Sequence, residues 1–286
     1  MTASQLRDAG AARLAAAGID SAASDAAWLL AHVLGTEPGR LPLIDDVDAD
    51  DRAAYDRLIT ARAQRIPLQH LTEQTDFAGV ELAVGPGVFI PRPETELLVE
   101  WAEKVAATLP ADRPVRVADL CAGSGALGIA LAVRVPRARV TLVEKSTRAV
   151  EFIDRNIAAL PEPVTRRLSL IVGDVTDPAV IGELGECDVI VSNPPYVPEG
   201  TPVPPEVDQD PAEAVFSGPT GMDVITAMVP LIADALAPGG AVAVEHDDTT
   251  AAQTVAVFAA DGRFTDVTAL SDLAGRPRFV TAVRRR

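Results

Sequence analysis

Val115-Arg116-Val117-Ala118-Asp119-Leu120-Cys121-Ala122-Gly123-Ser124-Gly125-Ala126-Leu127-Gly128 is the stretch on which the fold turns. Residues 115–120 form a short, valine-rich, mostly apolar run of the kind a buried parallel strand needs, and the glycines follow where such a strand turns into a helix. Gly123 and Gly125 permit tight backbone turning and close approach of a ligand, with helix N–H groups beyond. The same alternation continues downstream. Strands are expected over 140–144, 168–173, 188–192 and 240–246, helices over 125–135, 147–160 and 224–237, and final strands around Val267 and over 279–283. This order predicts an α/β domain with a doubly wound, mainly parallel sheet.

Upstream the pattern differs. Residues 1 to about 70 are rich in alanine and leucine at helical spacing (Leu14, Ile19, Trp28-Leu29-Leu30, Val33-Leu34), which predicts a small helical bundle. Asp25 or Ser21 is the candidate cap of a second helix, and residues 50–63 read as a third. Between Thr75 and Ile90, short β-type runs broken by Gly79, Gly85 and Gly87 suggest a hairpin. The expected organisation is a helical domain over 1–72, a hairpin linker over 73–92 and an α/β domain over 93–286. Residues 197–219, rich in Pro, Glu and Asp, form the longest irregular segment and suit a lid or substrate-contacting loop.

Composition narrows the function. The chain carries a formal charge of −16, with 25 Lys and Arg against 41 Asp and Glu. Partners of duplex DNA or RNA usually present a basic face, so a protein or small-molecule substrate fits better. No apolar run approaches a membrane span, and the first residues lack the basic-then-apolar pattern of a secretory signal, so cytoplasmic residence is the expectation. Cys121 and Cys187 are the only cysteines, and the three histidines are scattered, which leaves no metal-ligand spacing.

The glycine loop offers a cofactor site. Gly123-x-Gly125-x-x-Gly128 matches the dinucleotide fingerprint, so the loop alone does not separate a nicotinamide cofactor from S-adenosylmethionine. Glu144, at the end of the second strand, is placed to take both ribose hydroxyls of either. Asp119 suits the amino group of a cationic donor better than a pyrophosphate. Asp174, followed by Val175 after the third strand, has two readings: an acceptor for an adenine amine, or a turn cap.

Asn193-Pro194-Pro195-Tyr196 reads either as a rigid turn or as a device that favours S-adenosylmethionine over a nicotinamide cofactor. It follows a strand, where α/β proteins place reacting groups. An amide or exocyclic amine nitrogen is a poor nucleophile because its lone pair is delocalised. Two acceptors aimed at its N–H bonds, the Asn193 side-chain oxygen and the Pro194 carbonyl, orient that lone pair for attack. The prolines stiffen the loop, and Tyr196 supplies a ring face for a planar group or a cationic donor. No pair of groups suited to hydride transfer is evident.

With these motifs the chain resembles the bacterial protein-(glutamine-N5) methyltransferases that modify peptide chain release factors, the family often called PrmC or HemK. The resemblance spans essentially the whole length and includes Phe89-Ile90-Pro91-Arg92-Pro93-Glu94-Thr95-Glu96, Asp119 to Gly125, Ser192 to Tyr196, Glu245-His246 and Gly275-x-x-Arg278. It implies a Rossmann-like class I methyltransferase whose N-terminal helices dock class I release factors, with no membrane and no direct DNA partner. S-adenosylmethionine, leaving as S-adenosylhomocysteine, is implied over Asp119, Cys121, Ala122, Gly123, Ser124, Gly125, Glu144, Asp174, Val175 and Asn193. The substrate glutamine is implied against Asn193, Pro194, Pro195, Tyr196 and Phe89, with Asn193, Pro194 and Tyr196 catalytic. Phe89 reads equally as core packing, and Arg92 with Glu94 as a structural ion pair. Cys121 stands where the family usually has Gly, and Asp247 where Gly usually follows Glu-His. Three alternatives remain: an adenine-N6 DNA or guanine-N2 rRNA methyltransferase, a non-catalytic cofactor-binding scaffold and, more distantly, a nicotinamide oxidoreductase.

Overall fold

The computed structural model describes residues 1–286, which divide into two compact units. The first comprises Met1–Gln74 and Val203–Gln209, the second Thr75–Pro202 and Asp210–Arg286.

The first unit packs helices Ala3–Ala16, Ala22–Val33, Ala49–Ala63 and Leu68–Thr72 around Leu14, Leu29, Leu30, Tyr55 and Ile59. The first helix begins in a capping box between Thr2 and Gln5, and Asp48 caps the third by accepting from the Asp51 N–H at 2.9 Å. The expected capping of the second helix is corrected. Ser21 occupies the cap position without a side-chain bond, and Asp25 is buried, accepting from Arg62 Nε at 2.7 Å. The apolar surroundings demand a partner for that carboxylate, so it pairs instead of capping. Arg62 and Arg65 also reach Glu206 at 3.1 and 3.2 Å, which ties residues 203–209 to these helices. The 197–219 segment is therefore not one unanchored loop.

From Thr75 onward in the second unit, β1 (Gln74–Phe77) and β2 (Val80–Ala83) form the hairpin. The main sheet holds β3 (Val115–Leu120), β4 (Ala138–Glu144), β5 (Leu168–Val172), β6 (Cys187–Ser192), β7 (Leu236–Glu245), β8 (Phe264–Ser271) and β9 (Pro277–Arg284) in the order β5-β4-β3-β6-β7-β9-β8. The first five in that order are parallel; β9 runs antiparallel to both β7 and β8. Ala118, Leu120, Ile190 and Val191 are fully buried, as expected of central strands covered on both faces. One core contains Val117, Val189 and Val191 with Leu98, Val99 and Leu131; the other contains Leu120, Ile190 and Val242 with Ile225, Met228 and Ile232. No helix is long and apolar enough to cross a membrane.

Candidate active site at the switch of strand order

From β3 the chain steps outward to β4 and β5, then returns to β6 on the other side of β3 and continues to β7. The carboxyl ends of β3 and β6 therefore flank the switch point, where open α/β sheets leave a crevice. Leu120 lies opposite Ser192, and the buried Ser192 hydroxyl donates to the Leu120 carbonyl at 2.7 Å. Residues 121–125 and 193–196 consequently leave the sheet side by side.

The first of these loops turns through positive φ at Cys121 (60°), Gly123 (57°) and Gly125 (84°). A cysteine held there carries the left-handed strain that the usual glycine avoids, on the order of 1–2 kcal/mol. The Ala122 N–H donates to the Val143 carbonyl at 3.0 Å, and Gly125 donates back to Ala122 at 2.7 Å. Glu144, buried at the end of β4, accepts from the Gly123 N–H at 2.7 Å and the Ser146 N–H at 2.8 Å. Burial raises its pKa against those hydrogen bonds. Each carboxylate oxygen has a second lone-pair site, so both remain able to accept from a ligand.

Asp119 has no exposed surface. Its Oδ2 accepts from the Gly128 N–H at 2.8 Å, which fixes the first turn of helix Ala126–Arg134. Burial pushes the carboxyl up to about 7, opposed by the Gly128 hydrogen bond and reinforced by Glu144. A Cβ on Gly128 would stand 2.4 Å from Leu142 Cδ2 and 3.1 Å from Asp119 Oδ2, so a side chain there would displace those buried groups. Around this glycine loop, the buried Asp119 Oδ1 and Ser124 Oγ have no hydrogen-bond partner. Unsatisfied groups of this kind are uncommon in folded proteins and mark a place for a ligand or water.

Asn156 was not singled out from the sequence, yet it holds this loop. Its Nδ2 donates to the carbonyls of Ser124 (2.9 Å) and Ala83 (3.1 Å), and its Oδ1 accepts from the Ala83 N–H at 2.6 Å. It extends the buried stripe Ala149, Phe152, Ile153, Asn156 on one helix, and a polar residue in an apolar stripe was the available signal. Asp174 makes the turn contacts of one of its two readings: Oδ1 accepts from the N–H and hydroxyl of Thr176 at 2.9 and 2.7 Å, and Lys145 lies 3.6 Å away. Val175 beside it is buried.

In the second loop Pro194 and Pro195 are buried, while Asn193 and Tyr196 are partly accessible. Asn193 Nδ2 lies 3.4 Å from Thr95 Oγ1, whose hydroxyl donates to Glu245 Oε2 at 2.7 Å. Tyr196 donates its phenol to Glu245 Oε1 at 3.0 Å, and burial beside that carboxyl raises the phenol's pKa well above the usual value. Phe89 is half-buried with the Arg92 guanidinium 4.9 Å from its ring centroid. The expected Arg92–Glu94 pair is not formed. Arg92 pairs with the buried Asp210, which also accepts from the Ile90 N–H at 3.3 Å, and Glu94 lies 3.9 Å from Arg276. Burial outweighs Arg92 and pushes the Asp210 carboxyl up to about 6. The pairing was hidden because Asp210 stands 118 residues away.

The family model described as the PrmC N-terminal domain matches residues 5–72, and that of the methyltransferase small domain matches residues 95–207. Release factor glutamine methyltransferase of Mycolicibacterium smegmatis is 53% identical over 97% of this chain and 96% of its own length. The protein of that name from Mycobacterium tuberculosis is 48% identical over 99% of this chain and 92% of its own. Among solved structures, the Thermus thermophilus 16S rRNA N2 G1207 methyltransferase RsmC, in complex with AdoMet and guanosine, superposes with a TM-score of 0.51. It is 23% identical and covers 74% of this chain and 50% of that one, a likeness of fold alone. With near full-length identity of this order to proteins of one name, and a methyltransferase domain matched across its glycine loop and Asn193–Tyr196, the chain belongs to the release factor glutamine methyltransferases.

Proposed function

We propose that this enzyme transfers a methyl group from S-adenosylmethionine to the side-chain amide nitrogen (N5) of the glutamine in the Gly-Gly-Gln loop of class I peptide chain release factors. The observation that carries the proposal is the Leu120–Ser192 pairing, which sets Asn193–Tyr196 beside Cys121–Gly125 in a chain so similar to release factor methyltransferases. The residues fit the cofactor. The loop's three left-handed positions curve its backbone, the position of a Gly123 Cβ is open, Glu144 keeps free lone pairs, and Asp119 Oδ1 and Ser124 Oγ await partners.

Bound there, S-adenosylmethionine supplies an electrophilic methyl on a cationic sulfur that leaves as a neutral thioether. Cys121–Gly125, Asp174, Val175 and Asn193 line its place, and Glu144 takes the ribose hydroxyls. The Asn193 oxygen and the Pro194 carbonyl accept the two glutamine N–H bonds and turn the nitrogen lone pair outward, and the partly accessible Tyr196 ring packs against the amide. Phe89 walls the pocket. Orientation and electrostatics carry the step; the nitrogen becomes cationic on taking the methyl and then loses one proton to solvent, so no strong base is required. The N-terminal helical unit presents Trp28 and Leu43 half-exposed or more, and we assign it to release-factor docking. That substrate places the enzyme in the cytoplasm.

Mass spectrometry of a release factor's Gly-Gly-Gln peptide after incubation with enzyme and S-adenosylmethionine tests the reading. One added methyl on the glutamine side chain is expected, lost in Asn193→Ala with cofactor affinity within about twofold of the parent. Glu144→Ala is expected to raise the cofactor Kd roughly 10–100-fold, the worth of hydrogen bonds to a charged group. No mass gain with a folded release factor and proven cofactor binding would redirect the search to adenine or guanine acceptors, and then to the scaffold.

A further inference from the structure

Stiff prolines fix the Pro194 carbonyl, but they leave the side-chain torsions of Asn193 free. An asparagine amide is almost symmetrical in shape, so an unbraced Asn193 presents its NH2 as readily as its oxygen. A substrate N–H meeting that NH2 would find a donor instead of an acceptor.

The structure contains a brace. Thr95 closes the turn Pro93–Thr95 and is buried; Glu245 ends β7, which lies beside β6, and is buried too. A threonine hydroxyl has one proton, and an ionised carboxylate only accepts. At 2.7 Å from Glu245 Oε2 that proton is committed, so Thr95 Oγ1 acts only as acceptor towards Asn193. The atom 3.4 Å away is accordingly the amide nitrogen, and Oδ1 is left for another donor. The other oxygen of Glu245 takes the Tyr196 hydroxyl, so one carboxylate restrains both ends of the tetrapeptide.

We propose that Thr95 and Glu245 are positioning residues for methyl transfer: together they hold Asn193 in the orientation that presents its oxygen to the substrate N–H, and they restrain Tyr196. The role rests on the assignment of Asn193 as the substrate's acceptor. A neutral amide at position 245 can no longer accept at both of its ends. With its NH2 towards Thr95, the Thr95 proton is free to turn to Asn193 and draw the Asn193 oxygen away from substrate.

The chain has two asparagines, Asn156 and Asn193, so asparagine-selective 15N labelling gives two side-chain amide pairs, assigned by Asn193→Ala. In Thr95→Val and Glu245→Gln the Asn193 pair is expected to shift while the Asn156 pair stays. Turnover on a release factor is expected to fall about 10–100-fold in kcat, the scale of a small misplacement at a reacting centre. KM and cofactor Kd should stay within about twofold, and Thr95→Ser should recover most of kcat. Parental kcat in Thr95→Val, or an unmoved Asn193 pair, overturns the proposal. An Asn193 pair that responds in an enzyme unable to methylate release factors supports the brace and refutes the substrate instead.

Discussion

Glu245 is a carboxyl kept at a position that disfavours its charge. Burial pushes it up to about 7, against hydrogen bonds from Thr95 and Tyr196 and the charge of Arg278, with Glu94 adding to the rise. Because the folded pKa lies above the ordinary value of 4.5, the native protein holds more protons than the unfolded chain between about 4.5 and 7. This residue's contribution to stability therefore falls as pH rises through that window, while the brace needs the ionised form that appears at its upper end. Glu245→Gln should accordingly melt at or above the parental temperature at pH 8, with the difference shrinking towards pH 5, although it turns over slowly. A variant that melts well below the parent at pH 8 would contradict this account of Glu245. The sequence placed Glu245 only through resemblance, because one acidic residue after a strand carries no local mark of its partners. Cys121 was different: it stood out in the sequence as a residue where the family usually has glycine, and the structure's φ of 60° supplies the physical reason.

At the scale of elements, the segment after Tyr196 folds back along itself. The Val197 N–H donates to the Val215 carbonyl and the Ser217 N–H to the Val197 carbonyl, both at 2.9 Å. Gly221 then crosses behind the tetrapeptide at φ 75°, and a Cβ there would stand 2.2 Å from the Tyr196 carbonyl oxygen. Only glycine allows both the conformation and the approach. Gly221→Ala is expected to cost about 1–3 kcal/mol of stability. It should also lower kcat by displacing Tyr196, with cofactor affinity unchanged, because Cys121–Gly125 belongs to another strand end. Parental kcat with an ordinary melting curve would show that the tetrapeptide tolerates the shift. In the sequence this stretch read as irregular chain, since its hydrogen bonds join residues 18 and 20 apart, outside any short periodicity.

Across the whole domain, the amino ends of β3 and β6 are clamped as firmly as their carboxyl ends. Asp188 accepts from Arg113 at 2.7 and 2.9 Å and from the Arg116 N–H at 2.8 Å. Burial alone would raise its pKa, but these partners outweigh it and hold the carboxyl below 3.8. A depressed carboxylate gives stability that is present above its unfolded pKa and lost as pH falls through the folded one. Asp188→Asn should therefore be less stable than the parent at neutral pH, by about 1–3 kcal/mol in urea unfolding, and the gap should close below about pH 4. A gap independent of pH would assign the loss to packing instead of charge.

The class of fold, the strands to within a few residues, and both loops of the candidate active site were legible in the sequence alone. Those properties depend on short-range rules: alternation of apolar runs, glycine where the chain must turn, proline where it must stay extended. Which distant side chains complete that site was legible only in the folded chain. Asn156 behind Ser124, Asp210 beneath Arg92, and Glu245 joining Thr95 to Tyr196 are pairings across 32 to 150 residues. Burial makes each pairing compulsory, because a polar group taken out of water must find a partner, but the identity of that partner is fixed by how the strands are ordered in the sheet.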